Sequence, residues 1–258
     1  MNAIITLPLV PLRENENERS ELYTQLLFGE CVEILETRER WLFVRNHNDN
    51  YKGWLDKKMV QVLSSDEEAQ IEKTTKKTVQ VPIMPIQKAN TTENMFLPGG
   101  SVIHSEKPGE CIIGNETYLL NSTELDNNGK ISGQKLIQSA HQYLNAPYLW
   151  GGKSIMGIDC SGLVQVVFSM NGIQLDRDAS AQVDSGQTID FLSESKAGDL
   201  AFFENPEGRI IHVGMLLNSH QIIHASGWVK VETIDSNGII SAQSGEYTHK
   251  LRIIKRLI

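Results

Sequence analysis

The sequence predicts an α+β fold in its second half, preceded by small β domains, and three observations carry that reading. A helical pattern at 160–172 is followed by GDLAFFE, RIIHVGMLL, HQIIHAS, WVKVETI and HKLRIIKRLI, strand-like runs in immediate succession. Alternating βαβ units would place helices between them. Residues 20–63 and 78–127 are short runs of β-branched and aromatic residues broken by Gly, Asn and Pro, the punctuation of small barrels. With 40% hydrophobic and 22% charged residues in 258 positions, the composition is that of a globular chain with room for one large domain or two to three small ones.

In chain order, ECVEILE, WLFVRN and YKGWLD, interrupted by Gly29, residues 46–50 and Gly53, predict a first barrel within 1–63. Trp41 and Trp54 are expected in its core, and Tyr51 could line a binding surface. SSDEEAQIEKTTKK, at 64–77, has no apolar period and reads as an exposed linker. The runs TVQVPIM, SVIHSE and CIIGNETYLL then predict a second small β domain within 64–128, with Pro82 and Pro85 demoting the first run to an edge. The third part, 129–258, opens with SGQKLIQSAHQYLN, a helix capped by Ser132 with Leu136, Ile137, Ala140 and Leu144 on one face. After APYLWGG, Cys160 begins a second helix with Leu163, Val164, Val167 and Met170 at helical spacing, ended by Gly172.

The net charge of −8 argues against a nucleic-acid partner, which needs clustered cations. Three widely spaced cysteines, Cys31, Cys111 and Cys160, make no disulfide framework. No Lys or Arg precedes the short apolar run of MNAIITLPLVPLREN, and no run approaches the roughly 20 apolar residues of a membrane span. The expectation is a cytoplasmic monomer, or an exported protein if a leader has been removed.

Cys160, in a first helical turn, meets unpaired N–H groups and the positive end of the helix dipole, which favour thiolate. Asp159 opposes this and either caps the helix or accepts from a substrate N–H. His212 and His224 are equidistant from residue 218, so an antiparallel hairpin with an odd loop there sets them directly opposite, with Cα atoms roughly 4.5–5.5 Å apart. Cys160 would then be the nucleophile, His212 the base and His224 the group that orients it. The alternatives are a buried filler cysteine with satisfied core histidines, or a zinc site. Zinc lacks a CxxC, an HExxH and a second nearby thiolate, so no metal is predicted. His47, His104, His141, His220 and His249 are read as surface residues, Cys31 and Cys111 as core.

In order, PYLWGG, GIDCSGLVQ, QLDRDASAQ, AGDLAFF, HVGMLL and IIHAS resemble the signature of NlpC/p60 cysteine peptidases over about 129–258. The resemblance implies a papain-like α+β fold, no cofactor, and Cys160, His212 and His224 as catalytic residues. It further implies that Tyr148 helps an oxyanion site, and that Asp159 and Ser161 contact the D-glutamate of a cell-wall peptide, with Arg177 and Ser180 nearby. Leu149 departs from the usual tyrosine-tryptophan-glycine-glycine segment, and Asp176 stands where proline is usual.

The front half resembles tandem bacterial SH3-like domains. Together the parts are similar to γ-D-glutamyl-L-diamino acid endopeptidases of murein peptide recycling, whose first barrel reads the free amine of an N-terminal L-alanine. Tyr51 and Glu21 would carry that recognition here. The implied partner is a murein-derived L-Ala-γ-D-Glu-diamino-acid peptide. Two rival readings are an amidase or acyltransferase on another amide, and a non-catalytic wall-binding module.

Overall fold

The computed structural model describes all residues except 106, 115 and 126–129. The chain divides into two compact units, 1–128 and 129–258, with the junction on residues outside the described set.

The first unit begins with a sheet of β1 (Asn2–Ile5), β2 (Leu9–Arg13), β3 (Leu22–Leu27), β4 (Cys31–Arg38), β5 (Trp41–Asn46), β6 (Lys52–Asp56) and β7 (Val60–Val62), ordered β3-β2-β6-β5-β4-β1-β7. Its core holds Ile5, Val10, Leu12, Leu26, Val44 and Leu55, and Trp41 and Trp54 are buried as expected. The segment read as a linker instead forms α1 (Ser65–Lys73) and β8 (Thr75–Thr78). Ser64 and Glu67 make a reciprocal capping box, which starts a helix without an apolar face, and Ile71 is its buried residue.

β8 pairs with β11 (Val102–Ser105). A four-stranded sheet is ordered β10-β9-β13-β12, from β9 (Ile83–Lys88), β10 (Asn94–Pro98), β12 (Glu110–Ile113) and β13 (Glu116–Leu120). β9 is therefore not an edge strand. Pro85 is tolerated because pairing with β13 begins only at Ile86, so at Pro85 the ladder has β10 on one side. His104, read as a surface residue, is buried on β11, its Nε2 2.8 Å from the Gly29 carbonyl and its Nδ1 3.2 Å from the Thr74 hydroxyl.

The second unit opens with α2 (Gly133–His141), capped by Ser132 Oγ accepting from the Lys135 N–H. It buries Leu136, Ile137 and Ala140 but stops before Leu144, which is exposed. The short pair β14 (Lys153–Ser154) and β15 (Gly157–Ile158) leads into α3 (Cys160–Met170) and α4 (Ala179–Gln182). Then come β16 (Gln187–Ile189), β17 (Leu200–Glu204), β18 (Ile210–Asn218), β19 (Gln221–Ser226), β20 (Trp228–Ile234), β21 (Gly238–Ile240) and β22 (Tyr247–Arg256). β17 to β21 are sequential antiparallel neighbours. β22 pairs with both β17 and β21 and closes a six-stranded barrel.

Alternation along these strands makes two cores. Phe202, Val213, Met215, Ile223 and Ala225 pack against α2 and α3, whereas Ala201, Phe203, Leu216, Ile222 and Ile254 fill a second cluster. α3 is buried around most of its circumference, which suits a run as apolar as CSGLVQVVFSM. No helix among the described residues is long and apolar enough to cross a membrane.

Candidate active site

Asp159 is extended (φ −94°, ψ 179°) and caps α3 with Oδ1 accepting from the Gly162 N–H at 2.7 Å, which makes Cys160 the first helical residue. The same carboxylate takes both ends of a buried guanidinium: Arg177 Nη1 donates to Oδ1 at 3.0 Å and Nη2 to Oδ2 at 2.5 Å. The Gly151 N–H donates to Oδ2 at 2.8 Å, and Arg177 Nη1 also donates to Ser161 Oγ at 2.8 Å. Of the two roles left open for Asp159, the chain itself supplies the cap, and donors from the chain occupy the acceptor positions of both oxygens.

The Cys160 thiol is buried, and burial pushes it up to about 11. The Asp159 charge adds to this, while the Val213 and Ser161 backbone N–H groups and Arg177 act in the opposite direction. The helix start acts in the expected direction, but desolvation outweighs it. Contact with the Val213 N–H ties the thiol to the residue that follows His212.

His212 on β18 and His224 on β19 are both buried, with His212 Nε2 2.9 Å from His224 Nδ1. The pairing is not the directly opposite one the spacing predicts. The ladder runs Met215↔Ile223 and Leu216↔Ile222, then shifts around Leu217 to Asn218↔Gln221. The turn is centred between Ser219 and His220 rather than at 218, and the one-residue bulge at Leu217 takes back part of that offset; the net register lies two positions from the predicted one, so His224 falls beside Gly214 and His212 meets it diagonally. An even shift keeps both rings on one face, which is why the contact survives. Gly214 makes the space: a Cβ there would lie 2.9 Å from His224 Cβ and 2.7 Å from Ile222 Cδ1.

The chain of bonds continues to a residue the sequence reading missed. His224 Nε2 is 2.9 Å from Glu232 Oε2 on β20, and Glu232 Oε1 accepts from the Ala242 N–H at 3.0 Å. The His224 hydrogen bond holds the Glu232 carboxyl down at about 2, against the cost of its burial. An ionised Glu232 can only accept, so His224 donates from Nε2. For neutral rings, His224 Nδ1 then accepts from His212 Nε2–H, and His212 is left with its lone pair on Nδ1. Burial pushes His212 well below the usual imidazole range, and the neighbouring His249 and His224 add to that.

A signal for Glu232 existed. Gly227 centres a tight hairpin that pairs His224 with Lys230 and Ile222 with Glu232, so period-two alternation sets Glu232 on the His224 face. His249, read as a surface residue, is instead half-buried on β22, its ring stacked on His212 at 4.1 Å and 27°. β22 closes the barrel beside β17, a long-range pairing that local spacing does not carry.

Tyr148 is half-buried, with its N–H donating to the Gly227 carbonyl at 2.9 Å. Burial raises its hydroxyl to about 12, with the nearby Cys160 and Asp159 contributing, so it remains an O–H donor. Ser161 is buried against Arg177, whereas Ser180 is exposed on α4. Tyr51 and Glu21 belong to the first unit, where Tyr51 packs edge-on to Tyr23 at 6.2 Å and Glu21 is exposed just before β3.

Residues 145–250 match the NlpC/P60 family model, and residues 12–59 match the bacterial dipeptidyl-peptidase SH3 domain. A γ-D-glutamyl-L-lysine dipeptidyl-peptidase of Bacillus subtilis is 28% identical over 224 residues, covering 79% of this chain and 72% of that protein. Dipeptidyl-peptidase 6 of Lysinibacillus sphaericus is 28% identical over 247 residues, covering 88% of each. The crystal structure of an NlpC/P60 family protein from Bacillus cereus superposes with a TM-score of 0.86 at 19% identity, over 100% of this chain and 99% of that one. That last likeness is one of fold. Cys160 at the start of α3 and strands β17 to β21 lie within the family match, and the chain thus carries an NlpC/P60 domain behind an N-terminal bacterial SH3 domain.

Proposed function

We propose that this protein is a cysteine peptidase that hydrolyses the bond between γ-D-glutamate and a diamino acid in murein peptides of the form L-Ala-γ-D-Glu-diamino acid. The observation that carries the reading is the directed chain from Glu232 through His224 to His212, which leaves a lone pair on Nδ1 of the residue next to Val213, whose N–H contacts the Cys160 thiol. The names of its relatives support the substrate class.

Thiol and imidazole both rest neutral, so the nucleophile forms by proton transfer. Cys160 Sγ attacks the γ-carbonyl carbon as its proton passes to His212 Nδ1. The carbonyl π pair moves to oxygen, where the backbone N–H at the helix start and the Tyr148 hydroxyl stabilise it, a contribution of about 3–4 kcal/mol per donor. Collapse expels the amine of the diamino acid, protonated by His212, and leaves a thioester. Water then gives a proton to His212 and adds to the thioester, and the proton returns to sulfur as the acid leaves. Glu232 stabilises the imidazolium through His224 without itself taking a proton.

Incubation with L-Ala-γ-D-Glu-L-Lys is expected to yield L-Ala-D-Glu and free lysine, and Cys160→Ala to abolish both. If the dipeptide is absent while another amide or acyl donor turns over, the substrate assignment fails. Undiminished hydrolysis by Cys160→Ala refutes the nucleophile. Selectivity for a free alanine amine and action on cytoplasmic peptides belong to the same proposal, and a lower kcat/KM on the N-acetylated tripeptide tests the first.

A further inference from the structure

The steps above leave His249 unused, although it is the residue most closely stacked on the base. Its ring lies 4.1 Å from that of His212 at 27°, meets His224 edge-on at 5.8 Å and 82°, and meets Phe203 at 5.9 Å and 68°. Its Nδ1 is 2.9 Å from the Thr248 hydroxyl, which sets the orientation of the ring. It also lines a cleft with Phe203, Glu204, Ile211, Tyr247 and Lys250, so it borders both the buried imidazole and an open surface.

His212 needs such a neighbour. The bond to His224 fixes one atom of the ring, Nε2, and a ring held at one atom can still pivot. A pivot of the plane moves Nδ1, the atom that must meet the thiol. Phe203 lies across the ladder from His212, but at 5.7 Å and 46° it does not cover the ring face to face.

We propose that His249 is a positioning residue, whose flat ring fixes the plane of the His212 imidazole so that Nδ1 stays aimed at Cys160. This rests on the reading of Cys160 and His212 as the reacting pair. The stack also suits the charged step. When His212 carries the proton, a neutral ring over its face is a favourable neighbour, whereas a protonated one would repel it. The groups facing His249 are His212 on β18, His224 on β19, Lys230 and Glu232 on β20, and Thr248 on its own strand. Burial, with His224 and Lys230 adding and Glu232 opposing, lowers His249 to about 4, which keeps it neutral at physiological pH.

The test compares His249→Phe, which keeps a flat face, with His249→Leu, which fills space without one. Both are measured for kcat and KM on the tripeptide and for the pH profile of Cys160 alkylation by iodoacetamide. His249→Leu is expected to lower kcat and alkylation at neutral pH by about tenfold with KM little changed, and His249→Phe to stay within about threefold of the parent. The acid limb of the alkylation profile is expected to move upward in His249→Leu as water reaches His212. Parent-like rates and profile in His249→Leu, or equal losses in both variants, overturn the proposal. His212→Ala separates the two levels of the argument. If its alkylation is unchanged, the Cys160–His212 pair itself fails. If it falls while His249→Leu does not, only the role of His249 fails.

Discussion

Replacing Glu232 by glutamine tests whether a charge three groups from sulfur contributes to the rate. The substitution preserves size, and the amide oxygen can still accept from the Ala242 N–H, which lies 3.0 Å from Oε1. What disappears is the negative charge that stabilises His212 once protonated. Two 2.9 Å bonds with the His224 ring between them set the carboxylate roughly 8 Å from His212. One unit charge at that distance in an effective dielectric of about 20 amounts to about 2 kcal/mol. The glutamine can also present its NH2 group to His224, which reverses the donor chain and removes the lone pair from His212 Nδ1, so this is a lower bound. Steady-state kinetics on L-Ala-γ-D-Glu-L-Lys should show kcat down by about 30-fold or more with KM little changed. A folded variant with kcat within twofold of the parent and an unaltered pH profile would show that the charge does not reach His212, and the relay reading would be abandoned.

Gly214→Ala puts a methyl 2.9 Å from His224 Cβ, so His224 must move, and kcat should fall by about 10- to 100-fold with a lower melting temperature; parent-like kinetics would show that the strand absorbs the methyl. Arg177→Met leaves the Asp159 charge buried without its partner, and urea unfolding should show a loss of about 3–5 kcal/mol, with an unchanged midpoint counting against the pair as a structural element. The folded-state values of His212 and His249 lie below the ordinary imidazole value, so between about pH 6.5 and about pH 4 the unfolded chain binds more protons than the folded one. Stability is therefore complete above that window and falls as pH drops through it. For the half-exposed His249 the share is about 2 kcal/mol, and His249→Phe should flatten the dependence of the urea midpoint; an equally steep dependence would remove His249 as its source.

What was legible in the sequence was local. Period-two and helical spacing located the strands and α3, and Asp159 before Cys160 announced the cap. Pairings that depend on a bulge or on barrel closure were not legible. The one-residue bulge at Leu217 and the turn centred after Ser219 cannot be read from HVGMLLNSHQIIH, because nothing in that run specifies where the extra residue goes. The two histidines are not directly opposite, and they still share a face and touch only because the net offset is even. His249 became a neighbour of His212 through β22 returning to β17, a contact between residues 37 positions apart in the chain that alternation along one strand cannot reveal. α1 was missed for the opposite reason. Its signal was a capping box without amphipathic periodicity, in a segment that polarity alone assigned to a linker.

The pairing of an acid with the proposed nucleophile follows from the same geometry. A lone carboxylate beside Cys160 would only suppress the thiolate, and it does contribute to the rise toward about 11. The carboxylate is not alone, however. Arg177 grips both of its oxygens, so the charge near sulfur is largely that of a buried neutral pair, and the cap is retained at a reduced electrostatic cost. The arginine in turn anchors Ser161, the residue after Cys160, and so fixes the first turn of α3 from outside the helix. With burial pushing the thiol up, ionisation in the proposed mechanism waits for a proton acceptor, and there the acceptor is the imidazole linked through His224 to Glu232. The proposed mechanism thus makes reactivity at Cys160 conditional on His212, which is why alkylation in His212 variants is the most direct probe of the site.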